Sequence, residues 1–440
     1  MALLAIDVPS KAPPEKGKGA LRMKQTRKLL ALVLCLLFVL PAFPAAVFAA
    51  DTEICNVIFM IGDGMGYNHL KLAEEQGYEI FMDDAPDLLG WSRTRSASAA
   101  VTDSAAGATA LACGVRTNNG MLGVFPDANK LKTVQARSVT ENAIMHRMKT
   151  GIVTTDLTSG ATPAGYSVHT DSRNNTEEII RQQLAGRIDL LFGKQQSAAT
   201  QEAVEAAGFR YLPDRAAMQA LTPGTRGYGQ FGTSLWKLDL PDAKPSLSQM
   251  SEKAIALLSD NNPRGFFLMI EGAHIDKNAD DSKNGEVDYP DKLQNTAQAV
   301  KTFDNAVRSA VDFARRDGHT LVIITADHET GDLRYEEANG RMTFHSAKHS
   351  AANVPVFVYG ARDLFENGSE MDNCDLPNLI AAKLGWSERF PIEDPAGTIV
   401  EPLPEPEKEK DEPGERAPGF FARLLQWLRA LLQRLIRLFR

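Results

Sequence analysis

Residues Asn56 to Gly66 read NVIFMIGDGMG, an apolar run through Ile61 that stops in a glycine-rich turn carrying one carboxylate, Asp63. The same device recurs at Phe266 to Ile270 (FFLMI, stopping in EGAHID) and at Leu321 to Thr325 (LVIIT, stopping in ADHETGD). Val354 to Tyr359, VPVFVY, is a fourth run and Gly151 to Thr155, GIVTT, a weaker fifth. Short uninterrupted apolar runs are the pattern of strands buried on both faces. Helical stretches lie between them at Val139 to Lys149, Glu177 to Leu184, Ser248 to Ser259 and Leu293 to Arg316. The alternation predicts an α/β fold: a single three-layer domain with a mostly parallel central sheet covered by helices. In such sheets ligands gather beyond the carboxyl ends of the strands. Three of these runs end within a residue or two of an Asp or Glu, and no internal repeat is present.

Val101 to Thr109, VTDSAAGAT, sets Ser104 behind Asp103 and ahead of a run of small residues. This pattern predicts a helix N-terminus with a serine at its mouth, where free backbone N–H groups and the positive dipole end suit an anion. Taken alone, Ser104 reads more readily as a helix N-cap with Asp103 as its neighbour.

The flanks of the 440-residue chain differ from its middle. Residues 23–49 have a basic start, an apolar run Leu29 to Leu40 and a small-residue end, the layout of a secretory signal with cleavage after Ala49. The run is too short to span a bilayer. Residues 50–400 are expected to form the catalytic domain. Within it, residues 208–245, rich in Gly, Pro and aromatics, read as an irregular surface insertion. Residues 401–418 are Pro, Glu and Lys, a solvated linker. Residues 419–440 carry five arginines, no acid and leucines at helical spacing, a basic amphipathic helix suited to an anionic membrane surface. A partner-docking helix is the alternative. The chain is thus expected to be extracytoplasmic, tethered to the outer membrane surface by that helix.

Residues 50–418 hold 36 Lys+Arg against 54 Asp+Glu, a net of −18, which disfavours nucleic acid as a partner. Without the signal, Cys55, Cys113 and Cys374 remain, so at most one disulfide can form. The absence of a CxxC pair disfavours a thiolate zinc site. The metal-ligating residue types are instead oxygen and imidazole. Asp63 lies in the GDG turn; Glu271, Asp276 and Asp280 lie in EGAHIDKNAD; Asp327 and His328 close the third run; His345 and His349 lie in FHSAKHS. Asp276 and Asp280 would converge on one cation if the segment were helical, and Asp327 with His328 is a fair zinc pair. Each alone reads as a solvated acid or a surface histidine. Grouped at strand ends around a serine, they suit a mixed zinc and magnesium centre acting on phosphoryl groups.

VTDSAAGAT, IGDGMG, GATPAG, EGAHIDK and TADHE, in the chain between about residues 54 and 362, resemble the motifs of the alkaline phosphatases. The resemblance implies hydrolysis of small phosphate monoesters through a phosphoserine at Ser104. It implies Arg173 as a bidentate phosphate clamp, a geometry lysine cannot copy, and Lys277 as an indirect phosphate contact. Two Zn2+ and one Mg2+ are implied as cofactors. One zinc would take Asp63, Asp327 and His328; the other Asp276, Asp280 and His349; magnesium Asp63, Thr162 and Glu271. A homodimer is implied by the same likeness.

The chain departs from the family pattern twice. Asp280 stands where His is usual, and Gly160 stands where Asp or His is usual. An Asp adds negative charge and weakens the metal's Lewis acidity. His274 or His345 could compensate for the first, and Asp156 or Asp171 for the second. A sulfatase would need a CxPxR-like setting, which AAG after Ser104 does not provide, and related diesterases often use Thr as nucleophile. A phosphate- or metal-sequestering protein without turnover would not need Ser104.

Overall fold

A computed structural model of the chain describes residues 53–84, 86–129, 131–280, 289–338 and 340–393. The signal segment 23–49, the linker 401–418 and the amphipathic segment 419–440 lie outside the described residues. Ten strands form the main sheet: β1 Asn56–Gly62, β2 Leu88–Arg93, β3 Lys149–Thr154, β4 Leu190–Gly193, β5 Arg210–Leu212, β6 Gly227–Gln230, β7 Phe266–Gly272, β8 Thr320–Thr325, β9 Val354–Tyr359 and β10 Glu370–Asp372. Their spatial order is β10-β2-β9-β8-β1-β7-β3-β4-β6-β5.

The run that opened the sequence reading is the centre of this sheet. β1 pairs in parallel with β8 on one side and β7 on the other, and all its residues are buried. Its side chains alternate between two cores, as pleating requires. Ile58 and Met60 join one core, covered by the Tyr67–Glu75, Leu247–Ser259 and Tyr289–Asp317 helices. Val57, Phe59 and Ile61 join the other, covered by the Ser104–Cys113, Val139–Met145 and Leu376–Lys383 helices. The result is the three-layer, mostly parallel α/β arrangement expected. Among the described residues no helix is long and apolar enough to cross a membrane.

One expectation changes. Residues 208–245 are not simply an irregular surface insertion, because they supply β5 and β6 to the sheet. Phe209, Tyr228 and Phe231 are core residues, and the Tyr228 hydroxyl bonds Thr158 and Gln196. Strands of three and four residues, flanked by Gly and Pro, are too short to show a period of two. Within the mostly parallel sheet, β9 runs antiparallel to both neighbours, β8 and β2. The chain leaves β8 and reverses through the short pairing of Glu329–Thr330 with His349–Ser350. It therefore enters β9 at the same edge of the sheet. Cys113 and Cys374 are free thiols.

Candidate active site

Register fixes where the acidic residues lie. Ile61 of β1 pairs with Glu271 of β7 and with Thr325 of β8, and Thr154 of β3 pairs with the same Glu271. These four residues form one row across the sheet. Asp63 and Asp327 therefore emerge side by side, two residues beyond it. Because β9 is reversed, His349, just ahead of it, arrives at this edge too. Gly64 has φ +75°, and a Cβ there would lie 2.9 Å from the Asp276 Cα, so the tight GDG turn needs glycine. In return the Gly64 N–H donates to Asp327 Oδ1 at 3.1 Å.

Ser104 is the first residue of its helix, and Asp103, not Ser104, is the cap: its side chain accepts from the Ala106 N–H at 3.0 Å. The serine hydroxyl is thus left for other work. Ser104 is 1% exposed, and its Oγ lies 3.2 Å from His328 Nε2. That nitrogen is also 3.5 Å from Asp63 Oδ1 and 3.4 Å from Asp327 Oδ2. On the far side of the ring, Nδ1 lies 3.2 Å from the Thr330 hydroxyl, which itself donates to Asp276 Oδ1 at 2.6 Å. A hydroxyl that donates to a carboxylate accepts from the imidazole, so Nδ1 carries a proton, and Nε2 faces Ser104. His349 is held the same way. Its Nδ1 donates to the Thr102 carbonyl at 3.0 Å, leaving Nε2 3.2 Å from Asp276 Oδ1. The His328 and His349 rings stack at 3.6 Å. Such outer partners orient imidazoles for metal binding.

Two sets of ligating atoms result, each mutually within 4.8 Å: Asp63, Asp327 and His328, and Asp276, His328 and His349. Glu271 and Asp280 fall outside both sets. The helix carrying Asp276 ends at Ala279, and Asp280 has extended backbone, φ −92° and ψ 106°. Its N–H nevertheless donates to the Asp276 carbonyl at 2.8 Å, which sets it one helical turn beyond Asp276, and its Oδ2 stands 3.9 Å from His349 Nε2. Burial pushes the Glu271 carboxyl up to about 7, with the charge of Asp156 adding to it against a bond from the Thr154 hydroxyl. Thr162 sits on the Ala161–Gly165 helix, 1% exposed, and its hydroxyl has no hydrogen-bond partner. A buried oxygen in that state fits a cation ligand.

Arg173 reaches the same mouth. Its Nη1 donates to Asp103 Oδ2 at 3.1 Å, and its backbone N–H donates to the Gly120 carbonyl at 2.7 Å. Asp103 also accepts from the Gly120 N–H, so one carboxylate ties together the cap, the loop and the guanidinium. The Lys277 ammonium bonds Asp156. Of the substitutes considered for the two departures, Asp156 is therefore engaged with Lys277, while Asp171 Oδ1 takes a 3.5 Å bond from exposed Asn175. His345 pairs with Glu336 at 2.6 Å on the 333–344 hairpin. His274 bonds the Thr155 hydroxyl at 3.2 Å beneath Trp236, and burial with the Lys277 charge pushes it down to about 3. Sequence reasoning missed Thr330, Thr102 and the capping role of Asp103. An Asp immediately before a small-residue helix was the one available signal.

Comparison with known proteins follows this geometry. The family model described as alkaline phosphatase matches residues 54–196 and 188–359. Alkaline phosphatase 4 of Bacillus subtilis is 34% identical over 331 residues, covering 70% of this chain and 68% of its own. Alkaline phosphatase 3 of the same organism is 33% identical, covering 63% of this chain and 62% of its own. The Escherichia coli alkaline phosphatase is 31% identical, covering 63% and 71%. Among solved structures, the alkaline phosphatase of the Antarctic bacterium TAB5 superposes with a TM-score of 0.62 at 27% identity, covering 77% of this chain and 99% of that one.

Proposed function

The chain belongs to the alkaline phosphatase family, and on that premise we propose that it hydrolyses small phosphate monoesters through a phosphoserine at Ser104. One observation carries this reading: a buried serine hydroxyl at a helix N-terminus, 3.2 Å from a histidine shared by two sets of ligating atoms. The donors fit divalent cations, since oxygen and imidazole groups converge there and thiolates are absent from both sets. Asp63, Asp327 and His328 would hold one zinc; Asp276 and His349, with Asp280, the other; Asp63, Thr162 and Glu271 a magnesium. A solved mutant of the TAB5 enzyme has Mg bound in its M3 site. Bound cations would supply Lewis acidity, lowering the pKa of the Ser104 hydroxyl and of the attacking water and neutralising charge on the phosphoryl group.

The chain's own residues do the rest. Arg173, aimed by Asp103, takes two phosphoryl oxygens with its planar fork. The free N–H groups at the start of the Ser104–Cys113 helix face the same group. Ser104 Oγ attacks phosphorus in line; the bond to Ser104 forms, the bond to the leaving alcohol breaks, and the alcohol departs protonated. Water then cleaves the phosphoserine, releasing inorganic phosphate and restoring the hydroxyl. Positioning and electrostatics supply most of the rate. Export through residues 23–49, contact of residues 419–440 with a membrane surface and dimerisation complete the proposal.

Acid quenching with a 32P-labelled monoester tests it. Label should appear on Ser104 in the wild type and vanish in Ser104→Ala, with p-nitrophenyl phosphate turnover down at least about a thousandfold. Chelation should abolish turnover, and zinc plus magnesium should restore it. Full turnover by Ser104→Ala would overturn the reading.

A further inference from the structure

Beside the ligating groups, at the same sheet edge, lies a second charged cluster. Asp156 follows β3, with its side chain 10% exposed. Its Oδ2 takes the Lys277 ammonium, and its Oδ1, which has no hydrogen bond, meets the Lys194 ammonium at 3.5 Å. Lys194 immediately follows β4, and the Asp156 carbonyl accepts its backbone N–H at 2.6 Å, which fixes the two loops together. The lysine side chains are 32% and 30% exposed, so both ammonium groups reach solvent. Among the described residues, Asp156 is the ion-pair partner of each. Two ammonium groups share one carboxylate, and one positive charge is left over. The cluster adjoins the reacting centre, because Lys277 is next in the chain to Asp276, whose carboxylate faces His349.

We propose that Lys194, with Lys277, forms a subsite for one carboxylate on the leaving alcohol, so that the enzyme favours phosphate monoesters of hydroxy acids over those of neutral alcohols. This rests on the phosphomonoesterase reading above. A single surplus positive charge matches a single carboxylate, and the reaction itself is unchanged: water in, inorganic phosphate and the hydroxy acid out. An ammonium about 6 Å from the carboxylate, at a dielectric between those of protein surface and water, contributes roughly tenfold, about 1.4 kcal/mol.

The test measures kcat/KM of the metal-loaded enzyme for 3-phosphoglycerate and for glycerol 3-phosphate, which differ by the carboxylate. The wild type should favour the former about tenfold. Lys194→Ala should bring the ratio close to one, Lys194→Arg should keep most of it, and 0.5 M NaCl should compress it. A wild-type ratio of one or below overturns the subsite. So does a Lys194→Ala variant that loses on both substrates alike, since Lys194 would then only hold Asp156. If the wild type cleaves neither ester, the phosphomonoesterase reading falls with it.

Discussion

At Asp280 a carboxylate, 4% exposed, occupies a position where the family usually places an imidazole. Its Oδ2 is 3.9 Å from His349 Nε2, while Asp276 Oδ1 lies closer to the same nitrogen, at 3.2 Å. Imidazole suits zinc better than a further carboxylate, which adds charge to a pocket already holding Asp63, Asp276 and Asp327. Asp280→His should therefore bind zinc about tenfold more tightly and shift the pH–rate profile to lower pH; equilibrium dialysis and initial rates read both, and unchanged affinity would remove Asp280 from the ligand set. The residue types of the site were legible in sequence because Asp, Glu and His cluster at strand ends. The groups that aim them were not. Thr330 and the Thr102 carbonyl fix the two imidazole tautomers, yet a threonine and a backbone oxygen carry no signature.

Among elements, the Ser104–Cys113 helix has the narrowest tolerance. It is buried along its whole length, and a Cβ at Gly107 would lie 2.8 Å from the Asp327 carbonyl oxygen. Glycine in mid-helix costs about 1 kcal/mol relative to alanine, so propensity alone would make Gly107→Ala stabilising. Contact with rigid backbone reverses the sign, because overpacking costs roughly 1–3 kcal/mol. Gly107→Ala should lower the thermal midpoint and reduce kcat/KM by moving Ser104 against Asp327 and His328. A midpoint above that of the wild type would show that the helix can shift freely. The small-residue run announced this helix, but not what it packs against. Likewise VPVFVY announced β9 but not its direction, since an apolar run reads the same both ways. Its reversal is what delivers His349.

For the molecule as a whole, the buried acids couple stability to pH. Glu271, raised to about 7, holds its proton more tightly folded than unfolded. Its contribution is complete below about 4.5 and is lost as pH rises through about 7. His274, lowered to about 3, works oppositely, contributing fully above about 6.5 and losing it as pH falls. The Glu271 contribution must therefore be read by difference. In metal-stripped protein, the thermal midpoint of the wild type minus that of Glu271→Gln should fall between pH 5 and pH 8; a constant difference would mean that the carboxyl is not perturbed. Added divalent cations should raise the wild-type midpoint more at pH 8 than at pH 5, since ligands bind metal deprotonated. The sequence by itself determined the layered α/β fold and the chemistry at its strand ends, because hydrophobic periodicity and residue type are local properties. Tertiary structure alone decided the strand register that sets Asp63 level with Asp327 just beyond Glu271, the reversal of β9, and the pairing of Asp156 with two lysines. Those depend on distances between segments far apart in the chain, and packing of the whole core sets them.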